Sequence, residues 1–224
     1  ARAIAEKHLK ENPLESVYES ILIPALRLAE HDHQTDGLDD DARRFMFEST
    51  KELIEDLGDE LTENPPAATT EDDARRQTAQ AEIGGLNGNI ACMPARSGAD
   101  ELVVMMLAQL LRRAGYRACD LKAGAIEDMA AAVSQQDCTI VCVSSLPPFA
   151  SGQARSLCKR LQASLPGVPI LLGLWNLEGG IPAARERLGP ACSSMVTTTL
   201  ADALEQIHRL ADSGVAAETV KQKG

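Results

Sequence analysis

The chain has 224 residues, with 22 Lys and Arg against 33 Asp and Glu, a formal net charge of −11. That length holds one or two domains, and an aromatic content of 3% leaves the core to aliphatic side chains. No apolar run reaches the ~18 residues of a membrane-crossing helix. The acidity is local: residues 1–82 carry 9 basic and 21 acidic side chains, whereas residues 83–224 carry 13 and 12. Nucleic acid is excluded as a partner, because its binding needs Lys and Arg to displace counterions. The acidic third reads as a solvated helical surface. There is no signal peptide, and Ala1 already sits in helical text, so the sequence reads as a piece of a longer chain.

In chain order, residues 1–62 read as a helical module. Ala1–Lys10 is a short helix ended by Asn12-Pro13. Leu14–His31 is a second, with Val17, Ile21, Leu22, Leu26 and Leu28 near a helical period. Pro24 is expected to kink it or start a new helix. A third, Asp40–Leu61, places Phe45, Leu53, Ile54, Leu57 and Leu61 on one side. Three such helices need another surface to cover their apolar stripes. Residues 63–88 read as a linker: Asn64-Pro65-Pro66 opens it, a charged helix over 71–82 is expected within it, and Gly84-Gly85 marks a second joint.

Residues 89–212 alternate regularly. Strands are expected at 90–94, 116–121, 139–143, 169–174 and 194–197. Helices are expected at 98–114, 126–134, 152–165, 183–188 and 200–211. Five β-α units make an α/β domain with a parallel sheet covered on both faces. The expected order is 2-1-3-4-5, a flavodoxin-like arrangement with a crevice at the switch between strands one and three. The loops 94–98, 144–149 and 174–180 would form that crevice. Residues 213–224 read as a disordered tail.

The crevice loops lack the marks of familiar chemistry. No GxGxxG follows strand one, so a dinucleotide is unsupported. A phosphoacceptor site needs an Asp ending strand three and an acidic pair ending strand one. Val143-Ser144 and Met93-Pro94-Ala95 stand there instead. Ser144 and Ser145 lie in no nucleophile elbow, and none of His8, His31, His33 and His208 lies in a crevice loop. The six cysteines form no CxxC pair and read as small buried hydrophobes. No His or Cys cluster has zinc spacing, so no metal is expected. The candidate ligand-binding residues are Arg96, Ser97, Gly98, Ser144, Ser145, Gly173 and Trp175. Arg96 beside a helix N-terminus suits an anion, and Trp175 reads either as a packing anchor or as a crevice lining.

Two resemblances bear on these residues. Residues 90–200 resemble a cobalamin-binding domain, through Gly98-Ala99-Asp100-Glu101-Leu102, Val143-Ser144-Ser145-Leu146 and Pro169-Ile170-Leu171-Leu172-Gly173. The DxHxxG motif of that family falls on Pro94, Arg96 and Ala99, so its cobalt-ligating His and the Asp partner are missing. Leu14–Glu30, Ala99-Asp100-Glu101-Leu102, Ser145–Ala150 and Leu157-Cys158-Lys159-Arg160-Leu161 resemble the soluble C-terminal region of AI-2E (autoinducer-2 exporter) family permeases. That resemblance implies a non-enzymatic regulatory or accessory domain on the cytoplasmic side of the bacterial inner membrane. Its partner would be a transmembrane portion of the same protein upstream of Ala1, with a small-molecule ligand and homo-oligomerisation as further options. No cofactor is expected under it. The alternative is a cobalamin sensor capped by the helical module, with His31 or His33 as the replacement ligand.

Overall fold

The computed structural model describes residues 8–9, 12–35, 37–63, 88–96, 98–147, 150–189, 192 and 195–221. The first expected helix is described only at His8 and Leu9, and the expected helix at 71–82 lies outside the described residues. The helical part comprises α1 (Leu14–Val17), a π-helical turn (Tyr18–Leu22), α2 (Ile23–Gln34) and α3 (Asp40–Glu63). The α/β part follows as β1 (Asn89–Pro94), α4 (Ala99–Arg113), β2 (Arg117–Asp120), α5 (Ile126–Gln135) and β3 (Ile140–Ser145). It continues with α6 (Ala150–Ser164), β4 (Ile170–Leu174), α7 (Gly180–Leu188), β5 (Val196–Thr197) and α8 (Leu200–Lys221). The last helix therefore continues well past residue 212, into the segment read from sequence as a tail.

The sheet is five-stranded, in order β2-β1-β3-β4-β5, and every pairing is parallel. Its central strands are buried on both faces, which is why they read as continuous apolar runs. Ala91, Met93, Val141, Val143 and Leu172 face one core with residues of α5, α6 and α7. Ile90, Cys92, Ile140, Cys142 and Leu171 face the other, with residues of α4 and α8.

The surface that the three amphipathic helices need is this second face. Val17, Tyr18, Leu22 and Leu26, with Leu53, Ile54 and Leu57 of α3, belong to the same continuous core as Val103, Met106 and Ile90. Tyr18, Leu26, Ile54 and Leu57 are all at most 1% exposed. Polar contacts fix the packing. The Tyr18 hydroxyl donates to Gln109 Oε1, and Gln109 Nε2 donates to the Ile54 carbonyl at 3.0 Å. Gly58 makes room for that amide, since a Cβ there would stand 2.9 Å from Gln109 Cδ. Glu19 accepts from the Leu200 and Ala201 N–H groups at the start of α8. A carboxylate there satisfies orphan donors and suits the helix dipole.

Pro24 does not break the chain's winding. The backbone stays α-helical at Leu22 and Ile23, and the π turn just before the proline absorbs its missing donor. The turn also changes which side chains face inward. Leu14, Tyr18, Leu22, Leu26 and Glu30 are all buried at a spacing of four. Leu28, expected inward, is 59% exposed. Phe45, expected on the apolar side of α3, is 75% exposed; it precedes Leu53 by eight residues and is rotated off the Leu53–Leu57 stripe, and Met46 and Phe47 pack inward instead.

Candidate functional site

At the switch point, the ends of β1 and β3 are tied together rather than splayed. The Ala95 N–H donates to the Ser144 carbonyl at 2.9 Å, and the Trp175 N–H to the Ser145 carbonyl at 3.1 Å. Asp100, in the first turn of α4, accepts from the Leu146 N–H at 2.8 Å. Its side chain is sealed in, and burial pushes its carboxyl up to about 7 against the opposing pull of that N–H and of Arg96. Asp100 Oδ2, Ser144 Oγ and Trp175 Nε1 are buried with no hydrogen-bond partner.

The helical part closes this end. Glu30, 3% exposed, accepts from Arg43 at 2.6 Å and from Arg96 at 3.2 Å. Gly98 turns into α4 with φ +83°, a conformation that favours glycine. A Cβ there would also meet Phe47 at 3.0 Å and Arg43 at 3.3 Å. One charge of α2 thus pins both α3 and the loop after β1.

The structure gathers Arg96, Gly98, Ser144, Ser145, Gly173 and Trp175 around the switch point; Ser97 lies outside the described residues. Ser144 and Ser145 are at most 1% exposed, and Trp175 is fully buried in the core. The Trp175 indole lies against Gly173, where a Cβ would come within 2.5 Å of its ring. Trp175 is therefore the packing anchor of the two options. Arg96 is held by Glu30 rather than presented to solvent as a free anion site.

Open space lies beside this closed point. A cleft of about 530 Å³ separates α2 from the loops after β3 and β4. Pro24, Leu28, Pro147 and Leu177 supply its apolar wall, and Arg27, His31, Glu178 and Arg187 its polar groups. Arg27 spans it, donating to the Asn176 carbonyl at 3.2 Å and to Glu178 at 3.4 Å. Asn176 holds the loop in the left-handed region, φ +52°, which asparagine tolerates better than most residues. A second hollow, about 370 Å³, lies on the other face between the loop after β1, the 123–127 loop and α6. It is walled by Ala95, Ala123, Gly124 and Ala125, by Ile126, Met129 and Leu157, and by the exposed Glu127–Arg160 ion pair at 3.1 Å.

The two histidines of α2 differ. His33 Nδ1 meets the Leu38 carbonyl at 3.0 Å, and its Nε2 lies 3.6 Å from Asp40. His31 lines the cleft. Among the described residues, no group of three or more His, Cys, Asp or Glu side chains could hold a metal ion. Cys138, Cys142 and Cys158 are pushed up to about 12 by burial. They are thiols rather than thiolates at neutral pH. Cys119 and Cys138 are free, with sulfurs 3.9 Å apart.

Sequence reasoning placed the crevice loops but missed Glu30, Asp100 and the cleft wall. A signal for the first two existed. Glu30 follows Leu26 by four residues, and Asp100 precedes Val103, Val104 and Leu107 on a buried face. A lone charge inside an apolar stripe marks a buried partnered group.

No family model matches the sequence, and no curated protein matches it. Among solved structures, the chain is similar to a cobalamin-binding protein from Desulfitobacterium hafniense DCB-2. The likeness is distant: 12% identity and a TM-score of 0.47, over 94% of this chain and 98% of that one. These comparisons give no support to a permease origin. Among the described residues, no helix is long and apolar enough to cross a membrane. The residues of the loop after β1 do not fit a cobalamin ligated from that loop. Arg96 is engaged by Glu30, Ala99 is 2% exposed, and Trp175 fills the space over Gly173.

Proposed function

We propose that this chain is a non-enzymatic regulatory or accessory module that binds a small molecule. One observation carries the reading: the helical and α/β parts together wall a roughly 530 Å³ cleft beside the carboxyl ends of β3 and β4. Ligands of open α/β sheets bind at that end, and cavities of this size hold small molecules. The cleft wall offers no nucleophile beside a base, which favours binding over turnover. The finer reading makes the module the cytoplasmic accessory domain of an AI-2E family permease, at the bacterial inner membrane. Its support is the sequence resemblance over residues 14–30, 99–102, 145–150 and 157–161. The coding sequence upstream of Ala1 tests this part. Several hydrophobic spans in frame would support it, and a start codon with no such spans would end it.

A second reading, a cobalamin sensor, has one observation in its favour. His31 reaches the cleft wall with its imidazole uncommitted among the described residues, whereas His33 is engaged. Titration of the full chain with hydroxocobalamin, followed by corrin absorbance, separates the two. The accessory-module reading expects no saturable change up to millimolar corrinoid. Saturable micromolar binding that is lost in His31→Ala would establish the sensor instead.

A further inference from the structure

We infer that the cleft between α2 and the loops after β3 and β4 takes an amphipathic organic anion, an apolar body carrying one carboxylate or phosphate. The inference rests on the ligand-binding reading above and adds the chemical class of the ligand. The chain is strongly acidic, −11 overall, yet this cleft sets Arg27 and Arg187 against a single acid, Glu178. Glu178 is committed to Arg27 at 3.4 Å, and its side chain is 86% exposed. Arg187 has no partner among the described residues, so the cleft holds one positive charge in excess. The Arg27–Glu178 pair is long and solvated, the kind that contributes little. An incoming anion can therefore take the Arg27 guanidinium as well. Guanidinium groups lining one cleft suit a carboxylate or phosphate through charge-assisted hydrogen bonds.

The cleft also has an apolar wall. Leu28 is 59% exposed on a helix whose other apolar side chains are mostly buried, and it points into the same cleft as Pro24, Pro147 and the buried Leu177. An inorganic ion would leave that wall wet. An alkyl or aryl body would cover it and remove that apolar surface from water, which is favourable. Positive charge and an apolar wall in one cleft together select an amphiphile over a sugar, a nucleotide base or a bare phosphate.

The test uses three eight-carbon probes on the full chain, by calorimetry below their micelle-forming concentrations: octanoate, octanol and octylammonium. Octanoate is expected to bind saturably, at least tenfold more tightly than either of the others. Arg187→Gln and Leu28→Asp, both surface changes verified by thermal melting, are each expected to weaken it at least tenfold. Octanol or octylammonium binding as tightly as octanoate would overturn the ligand class while leaving the cleft a ligand site. Unchanged octanoate binding in Arg187→Gln would overturn the site. Failure of all three probes at millimolar concentration would overturn both the inference and the ligand-binding reading beneath it.

Discussion

Gly173→Ala is expected to destabilise the protein by about 3 kcal/mol, the upper end of what overpacking a core costs. The new Cβ would fall within 2.5 Å of Trp175 Cε2 and Cη2. Neither side has room to yield. The indole is fully buried, and β4 is held between β3 and β5, so the strand cannot back away. The cost should depend on the indole. In a Trp175→Leu background, itself destabilised by the cavity it leaves, the alanine should be far better tolerated. A double-mutant cycle by urea unfolding is expected to show coupling of about 2 kcal/mol. Simple additivity of the two changes would mean that Trp175 does not fill the space over Gly173.

Asp100→Asn is expected to stabilise the protein at pH 8 and leave it little changed at pH 4. Burial raises the Asp100 carboxyl from its ordinary 3.8 to about 7. The folded state therefore binds a proton that the unfolded state has already released. Stability from this group is fully present below about pH 4 and is lost as pH rises through 7. A shift of this size corresponds to roughly 4 kcal/mol in total, most of it lost between pH 5 and 8. The amide of the variant still accepts from the Leu146 N–H through its oxygen but carries no charge to bury. The difference between the two stability–pH curves isolates Asp100 from every other titrating group. Parallel curves from pH 4 to 8 would show that the carboxylate is solvated rather than sealed beneath α2 and α3.

The strands and their order were legible because each apolar run sits between amphipathic helices of ordinary length. Ile90–Pro94 and Ile140–Val143 needed no long-range information to be placed. The second and third expected helices were legible in extent but not in facing. A regular helical period continued from Val17 and Ile21 puts Leu28 inside, and the structure leaves it exposed. The cause is the π turn at Tyr18–Leu22, which keeps residues spaced by four in line and so turns Glu30 toward Arg43 and Arg96. Nothing local in the sequence marks such a turn except the proline that follows it.

The candidate site was half legible for a related reason. Topology located the switch point, and Arg96, Gly98, Ser144, Ser145, Gly173 and Trp175 lie around it, most of them buried or engaged rather than open to a ligand. Whether a crevice stands open depends on what another part of the chain lays over it. Phe47, Arg43 and Glu30 come from helices that lie 51 to 68 residues before Gly98 in the sequence, and no spacing rule joins them. The open cleft is displaced toward β3 and β4, where Arg27 meets Asn176 and Glu178 across 149 and 151 residues of sequence. Arg187 and Leu28, unremarkable alone, acquire meaning only from that pairing.

The central claim is that the helical part is built into the core of the α/β part, so that the two form one body and share the cleft. Native-state amide exchange tests it most directly, because it reports the opening free energy of each segment. The amides of Leu26 and Ile54 in the helical part should open with the same free energy as those of Val141 and Leu172 in the sheet, to within about 1 kcal/mol. Exchange of α2 and α3 as a separate unit, several kcal/mol below the sheet, would contradict the account. It would mean that the helical wall of the cleft detaches while the sheet stays folded.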